Sequence, residues 1–149
     1  MAQTLVVNYI HLVFSTKNRE HLIRPEHTRD VFAYIAATLN KIDCTAIEVG
    51  GTTNHIHALY MLSKNKALKD VVRIIKSSSS AWITKRQLNY GSFEWQDGYG
   101  AFSLGESGLT RAIDYIRHQD EHHKRGDYES ELRTLLEKYH LDFDERYLL

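Results

Sequence analysis

Two hydrophobic periodicities alternate along this chain, and their order leaves few folds open. "TLVVNYIHLVFST" is rich in β-branched and aromatic residues, with both alternating faces largely apolar, which predicts a central strand. Pro25 opens "PEHTRDVFAYIAATLNK", where Val31, Phe32, Ile35 and Leu39 recur at helical spacing and Glu26 suits a first turn. "CTAIEVGGTTNHIHALYML" reads as two short strands joined around Gly50 and Gly51. "ALKDVVRIIKSSSSAWITKRQ" returns to helical periodicity through Leu68, Val71, Val72, Ile75 and Trp82. Glycines then punctuate "GSFEWQDGYGAFSLG", which predicts irregular chain and a short strand near Tyr99 to Leu104. Two more helices are expected, from about Ser107 to Lys124 and from about Tyr128 to Tyr139. Strand, helix, strand, strand, helix, strand, then C-terminal helices, is the order of the ferredoxin-like split βαβ motif. The expected class is therefore α+β: an antiparallel sheet with helices on one face, whose second face needs a cover.

With 149 residues, one domain spanning 1–149 can bury an adequate core without disulfides. The lone Cys44 has no internal partner, the N-terminus lacks a secretory pattern, and no apolar run approaches the roughly 20 residues that span a bilayer. A cytoplasmic protein is expected. Net charge is zero with histidine neutral, which argues against coating nucleic acid through overall charge. The distribution is uneven: Lys64, Lys66, Lys69, Arg73, Lys76, Lys85 and Arg86 face only Asp70 within their stretch. A local basic surface follows.

The third strand carries an unusual pair. His55 and His57 lie two apart, so a strand sends both to one face with Cα atoms roughly 7 Å apart, close enough to share a metal ion. By itself the pair is better explained as two hydrogen-bonded imidazoles in a half-buried sheet. A second group lies in "RAIDYIRHQDEHHKR", where Gln119 follows Tyr115 by one helical turn and projects with it, beside an apolar stripe of Ala112, Ile113 and Ile116. A phenol with a pKa of about 10 becomes a useful nucleophile only when something orients it or assists the electrophile, as a divalent metal does by polarising a phosphoryl oxygen.

In "YIHLVFSTKNR", "NHIHALYML", "VVRIIKSSSSAWI", "WQDGYGAFSL" and "YIRHQDEHHKR" the chain resembles, in family order and over nearly its whole length, the single-tyrosine HUH transposases. These move insertion sequences as single-stranded DNA and include the REP-associated tyrosine transposases. The resemblance implies that His55, His57 and Gln119 hold a divalent metal, Mg²⁺ or Mn²⁺, and that Tyr115 attacks the scissile phosphate. It implies a 5′-phosphotyrosine intermediate, a released 3′ hydroxyl, rejoining by a second 3′ hydroxyl, and no nucleotide cofactor. It also implies single-stranded DNA with hairpin ends as the partner, and a homodimer in which each tyrosine helix covers the other chain's open sheet face. Whether the histidines and the tyrosine come from one chain or two is not decided by sequence. The alternatives are a non-catalytic hairpin-binding regulator with the same fold, and a relaxase.

Lys66, Lys69, Arg73 and Lys76 fall along one side of the second helix, either as a solvated face or as phosphate contacts to a folded hairpin. Arg117, Lys124 and Arg125 are open to the same two readings. Trp82, Trp95, Tyr99 and Phe102 suit core packing or stacking on unpaired bases. His122 lies two turns from Tyr115 and is placed at the edge of the site, while His118, His122 and His123 form a weaker rival metal cluster.

Overall fold

A computed structural model describes residues 2–123 and 126–143, with the side chains of 122 and 123 excepted. Four strands, β1 (Tyr9–Ser15), β2 (Thr45–Gly51), β3 (His55–Met61) and β4 (Gly100–Leu104), form one sheet in the order β2-β3-β1-β4. Every pairing is antiparallel, with Val13 opposite His57 and His11 opposite both Leu59 and Phe102. Helices α1 (Thr28–Lys41) and α2 (Leu68–Arg86) complete the split βαβ order, and α3 (Leu109–Arg117), α4 (Gln119–His123) and α5 (Tyr128–Lys138) follow.

Alternation along the strands sorts the two faces. Ile10, Leu12 and Phe14 of β1 and Ile56, Ala58 and Tyr60 of β3 point to α1 and α2, where Val31, Ile35, Leu39, Val71 and Ile75 complete the main core. The serine run inside α2 is accommodated because Ser77, Ser78 and Ser79 turn their hydroxyls back onto carbonyls one turn earlier. Ser79 also accepts from the indole N–H of Trp95 at 3.0 Å, so Trp95 is fastened in the core.

The second face carries His11, Val13, His55, His57 and Phe102, and this chain's own C-terminal helices cover it. Tyr128 and Leu132 of α5 pack on Val13 and Phe102. Ile116 of α3 lies against Gly50, where a Cβ would come within 2.8 Å of both the Ile116 side chain and its carbonyl oxygen. Gly50 thus admits α3 onto β2.

Two sequence boundaries shift. The first strand begins at Tyr9 rather than Thr4, and Leu5, Val6 and Val7 are exposed, because neither neighbouring strand extends to pair with them. The helix expected over Ser107 to Lys124 is a 3-10 turn (Glu106–Gly108), then α3, then α4, with a break at His118. His118 leaves helical geometry (φ −107, ψ 30), and its Nδ1 lies 2.8 Å from the Asp114 carbonyl oxygen that its own amide also uses. Trp95 and Phe102 are core residues, whereas Tyr99 is exposed.

Candidate active site

His55 and His57 are fully buried and present Nε2 to a common space at the junction of β3, α3 and α5. The partners on the far side of His55 hold a proton at Nδ1. Asn54 Nδ2 donates to the Arg19 carbonyl, which fixes the amide so that Oδ1 faces His55 Nδ1 at 2.8 Å. An amide oxygen only accepts, so Nδ1 carries a proton; Nε2 meets the Gln119 amide oxygen at 3.0 Å under the same rule and would give up its own proton to a bound metal. Thr52 Oγ1 lies 2.9 Å from the same Nδ1 and donates to Asn54 Oδ1. His57 is braced in a similar way, with Nδ1 2.8 Å from Nε2 of buried His11. Burial, reinforced by His57, pushes the His11 pKa down to about 3, so this support is neutral at pH 7.

The other members of the site converge on the two Nε2 atoms. Gln119, 2 % exposed, brings Oε1 to 3.0 Å from His55 Nε2, and its Nε2 turns to the Tyr115 carbonyl. Glu131 of α5 places Oε1 2.5 Å from His57 Nε2 and Oε2 3.7 Å from His55 Nε2. The contact with His57 is not aligned as a hydrogen bond. The Tyr115 ring centroid lies 5.7 Å from that of His57 and 6.4 Å from that of His11, and its hydroxyl is hydrogen-bonded to Glu131 and Gln119. Burial, then the Glu131 charge, push the phenol well above its usual pKa.

This donor set fits a divalent cation. With Nε2 deprotonated, His55 offers a lone pair beside an amide oxygen and a carboxylate, a convergence of ligand atoms that a cation can occupy in place of the proton. Ligand atoms of His55, His57 and Glu131 all lie within 4.8 Å of one another. Two imidazoles with oxygen ligands suit Mn²⁺ or another borderline ion more readily than Mg²⁺, which prefers oxygen throughout.

Glu131 and His11 escaped the sequence reading, yet both left a signal. Glu131 lies three residues after Tyr128 and four before Leu135, which puts an acid on the buried stripe of α5. His11 alternates with Val13 on one strand face, the same kind of anomaly as the His55 and His57 pair.

Of the expected phosphate contacts, Lys66, Lys69 and Arg73 are exposed on or just before α2. Lys76 is not free: Nζ donates to the carbonyls of Gln96 and Gly98 at 2.7 and 2.6 Å, and burial pushes its pKa down to about 8. Its stem is long enough to cross to the glycine-rich loop, so it fastens that loop to α2. Arg117 pairs with Glu48 at 3.2 Å. His118 is exposed and turned to Asp114, while the side chains of His122 and His123, and Lys124 and Arg125 altogether, lie outside the described residues.

The family model described as "Transposase IS200 like" matches residues 4–119. The chain belongs to this family. The match takes in the whole sheet, both histidines, Tyr115 and Gln119, and ends before α5. Among solved structures, the IS200-like chain is similar to a candidate transposase from Deinococcus radiodurans R1, with 15% identity, 80% of this chain and 95% of that one covered, and a TM-score of 0.62. It is also similar to a REP-associated tyrosine transposase bound to a REP hairpin, with 12% identity, 83% and 73% covered, and a TM-score of 0.59. At these identities the likeness is one of fold: the four-stranded antiparallel sheet with helices is shared. No curated protein matches. Among the described residues no helix is long and apolar enough to cross a membrane.

Proposed function

We propose that this IS200-like transposase cleaves and rejoins single-stranded DNA at insertion-sequence ends, with Tyr115 as the nucleophile. The observation that carries the reading is the meeting of Tyr115, Gln119, Glu131 and both histidine Nε2 atoms at one point beneath α3 and α5. His55, His57 and Gln119 would hold the divalent metal, Mg²⁺ or Mn²⁺, with Glu131 as a further ligand. When bound, such an ion polarises a phosphoryl oxygen and offsets the charge gained in the transition state.

Tyr115 Oη attacks phosphorus, the bond to the 3′ oxygen breaks, and the strand's 5′ phosphate stays on the tyrosine as a diester. The Tyr115 hydroxyl donates to the Glu131 carboxylate, which is therefore placed to take the phenolic proton. That assistance is needed because the buried phenol does not ionise at neutral pH. The leaving 3′ oxygen takes up a proton, and attack by another 3′ hydroxyl reverses the sequence to rejoin DNA. A diester is exchanged for a diester, so no nucleotide cofactor is required.

The DNA partner is read as a single strand carrying a hairpin, since one structural neighbour is bound to a REP hairpin. Lys66, Lys69 and Arg73 are the exposed cations assigned to its phosphates, and Lys76 acts by holding the loop at Gln96 and Gly98. A pair of two chains, implied by the family resemblance, would add contacts without being needed to complete the site.

The test is incubation with Mn²⁺ and single-stranded DNA from the flanks of the gene, followed by denaturing electrophoresis. A covalent protein–DNA adduct is expected, and Tyr115→Phe is expected to abolish it. Absence of adduct on every flanking end, or an adduct undiminished in Tyr115→Phe, would falsify the assignment.

A further inference from the structure

Between α3 and α5 a cavity of about 490 Å³ opens on Tyr115, His11 and Glu131. One wall is apolar, made by Leu104, Leu135 and Tyr139, and the rim carries two cations, Arg111 and Lys138. Each cation lies on the same stripe as a site residue of its own helix. Arg111 precedes Tyr115 by four residues and Lys138 follows Glu131 by seven, so both project toward the site from opposite sides. Neither has a hydrogen-bond or ion-pair partner among the described residues, although Lys138 lies 5.5 Å from the Tyr139 ring centroid. Neighbouring cations are already engaged: Arg19 and Arg133 with Glu129, and Arg117 with Glu48. Among the described residues lining the cavity the one carboxylate, that of Glu131, is turned to the histidines.

We propose that this cavity takes the nucleotide joined to Tyr115 through its 5′ phosphate, and that Arg111 and Lys138 hold the next phosphate on its 3′ side. The inference rests on the tyrosine reading above and names the subsite that reading leaves open. Two unengaged cations beside an apolar and aromatic wall match a phosphodiester next to a base or sugar, which asks for both features within one nucleotide's length. Arg111 and Lys138 touch phosphate outside the reacting bond, so they are positioning residues. They set which strand segment follows the nucleophile into the site and do not take part in bond exchange.

The probe is 5′-phosphorylated (dT)₄, compared with the same oligonucleotide carrying a neutral methylphosphonate at its first internucleotide linkage. Binding is read by fluorescence anisotropy in EDTA, where no strand is cut. The parent protein is expected to bind the charged probe about tenfold more tightly than the neutral one. Arg111→Gln/Lys138→Gln should bind both alike, with the slope of log K against log salt reduced by about 0.7, the value for one phosphate contact on a single strand. Both side chains are exposed, and circular dichroism checks that the variant folds. A parent that does not distinguish the probes, or a double variant that distinguishes them as the parent does, overturns the proposal. Adduct formation is scored separately. An adduct without probe discrimination refutes the subsite and leaves the tyrosine reading intact, whereas discrimination without any adduct refutes the reading and leaves a nucleotide-binding cavity.

Discussion

Single side chains set the chemistry of this site through what lies behind them. His55 and His57 each have Nδ1 engaged from behind, by Asn54 and His11, and Nε2 turned to the site, so Asn54 and His11 fix the ring orientations that present Nε2. Glu131→Gln keeps the shape but removes the only charge among the convergent acceptors. It is expected to weaken Mn²⁺ binding by about tenfold to a hundredfold, read by isothermal titration without DNA. His11 gives a stability prediction. Its folded pKa of about 3 lies below the ordinary histidine value of 6.5 because burial penalises the imidazolium. Between those two pH values the unfolded chain holds a proton that the folded chain does not, so stability falls as pH drops through that window. At pH 5 the loss attributable to His11 is about 2 kcal/mol relative to pH 7. Urea midpoints at the two pH values should show a shallower loss in His11→Gln.

At the scale of elements, the site depends on how closely α3 approaches β2 and on the fastening of the glycine-rich loop. A methyl at residue 50 would meet Ile116 backbone as well as side chain, so Gly50→Ala must push α3 outward. A loss of about 1–3 kcal/mol is expected from the overpacking. Faster hydrogen exchange in α3 than in α1 would locate the effect, and unchanged exchange in both would contradict it. Ser79 joins α2 to the loop through Trp95. Ser79→Ala leaves a buried indole N–H without its acceptor and should cost about 1–3 kcal/mol, measured by denaturant unfolding. The tie from Lys76 to the carbonyls of Gln96 and Gly98 places that loop, and Gln96 Oε1 in turn accepts from Ser15 N and the Tyr128 hydroxyl beside His55. α5 is anchored at its start, where the Asp127 side chain accepts from Ser130 N and Glu129 pairs with Arg19.

For the molecule as a whole, one chain brings histidines, amide, carboxylate and phenol together without help. Mixing Tyr115→Phe with His55→Ala protein is therefore expected to restore no adduct, because each chain lacks one component of its own site. Recovery of activity in the mixture would mean that α3 crosses to a second chain, leaving the partner to cover the sheet.

Much of this was legible in sequence because it rests on local periodicity. The strand and helix order follows from where apolar residues recur, and the shared face of His55 and His57 follows from the two-residue repeat of a strand. Tyr115 and Gln119 meet for an equally local reason, one helical turn, which survives the break at His118. Four things depended on tertiary structure: the end of the first strand at Tyr9, the cover over the second face, and the arrival of Glu131 and His11 beside the histidines. Each requires contact between segments remote in sequence: Tyr9 needs Met61 and Leu104 as partners, and Glu131 reaches His57 only because Tyr128 and Leu132 seat α5 on Val13 and Phe102. Sequence periodicity determines which face a side chain takes, but which face of another element meets it is decided by how the helices pack on the sheet.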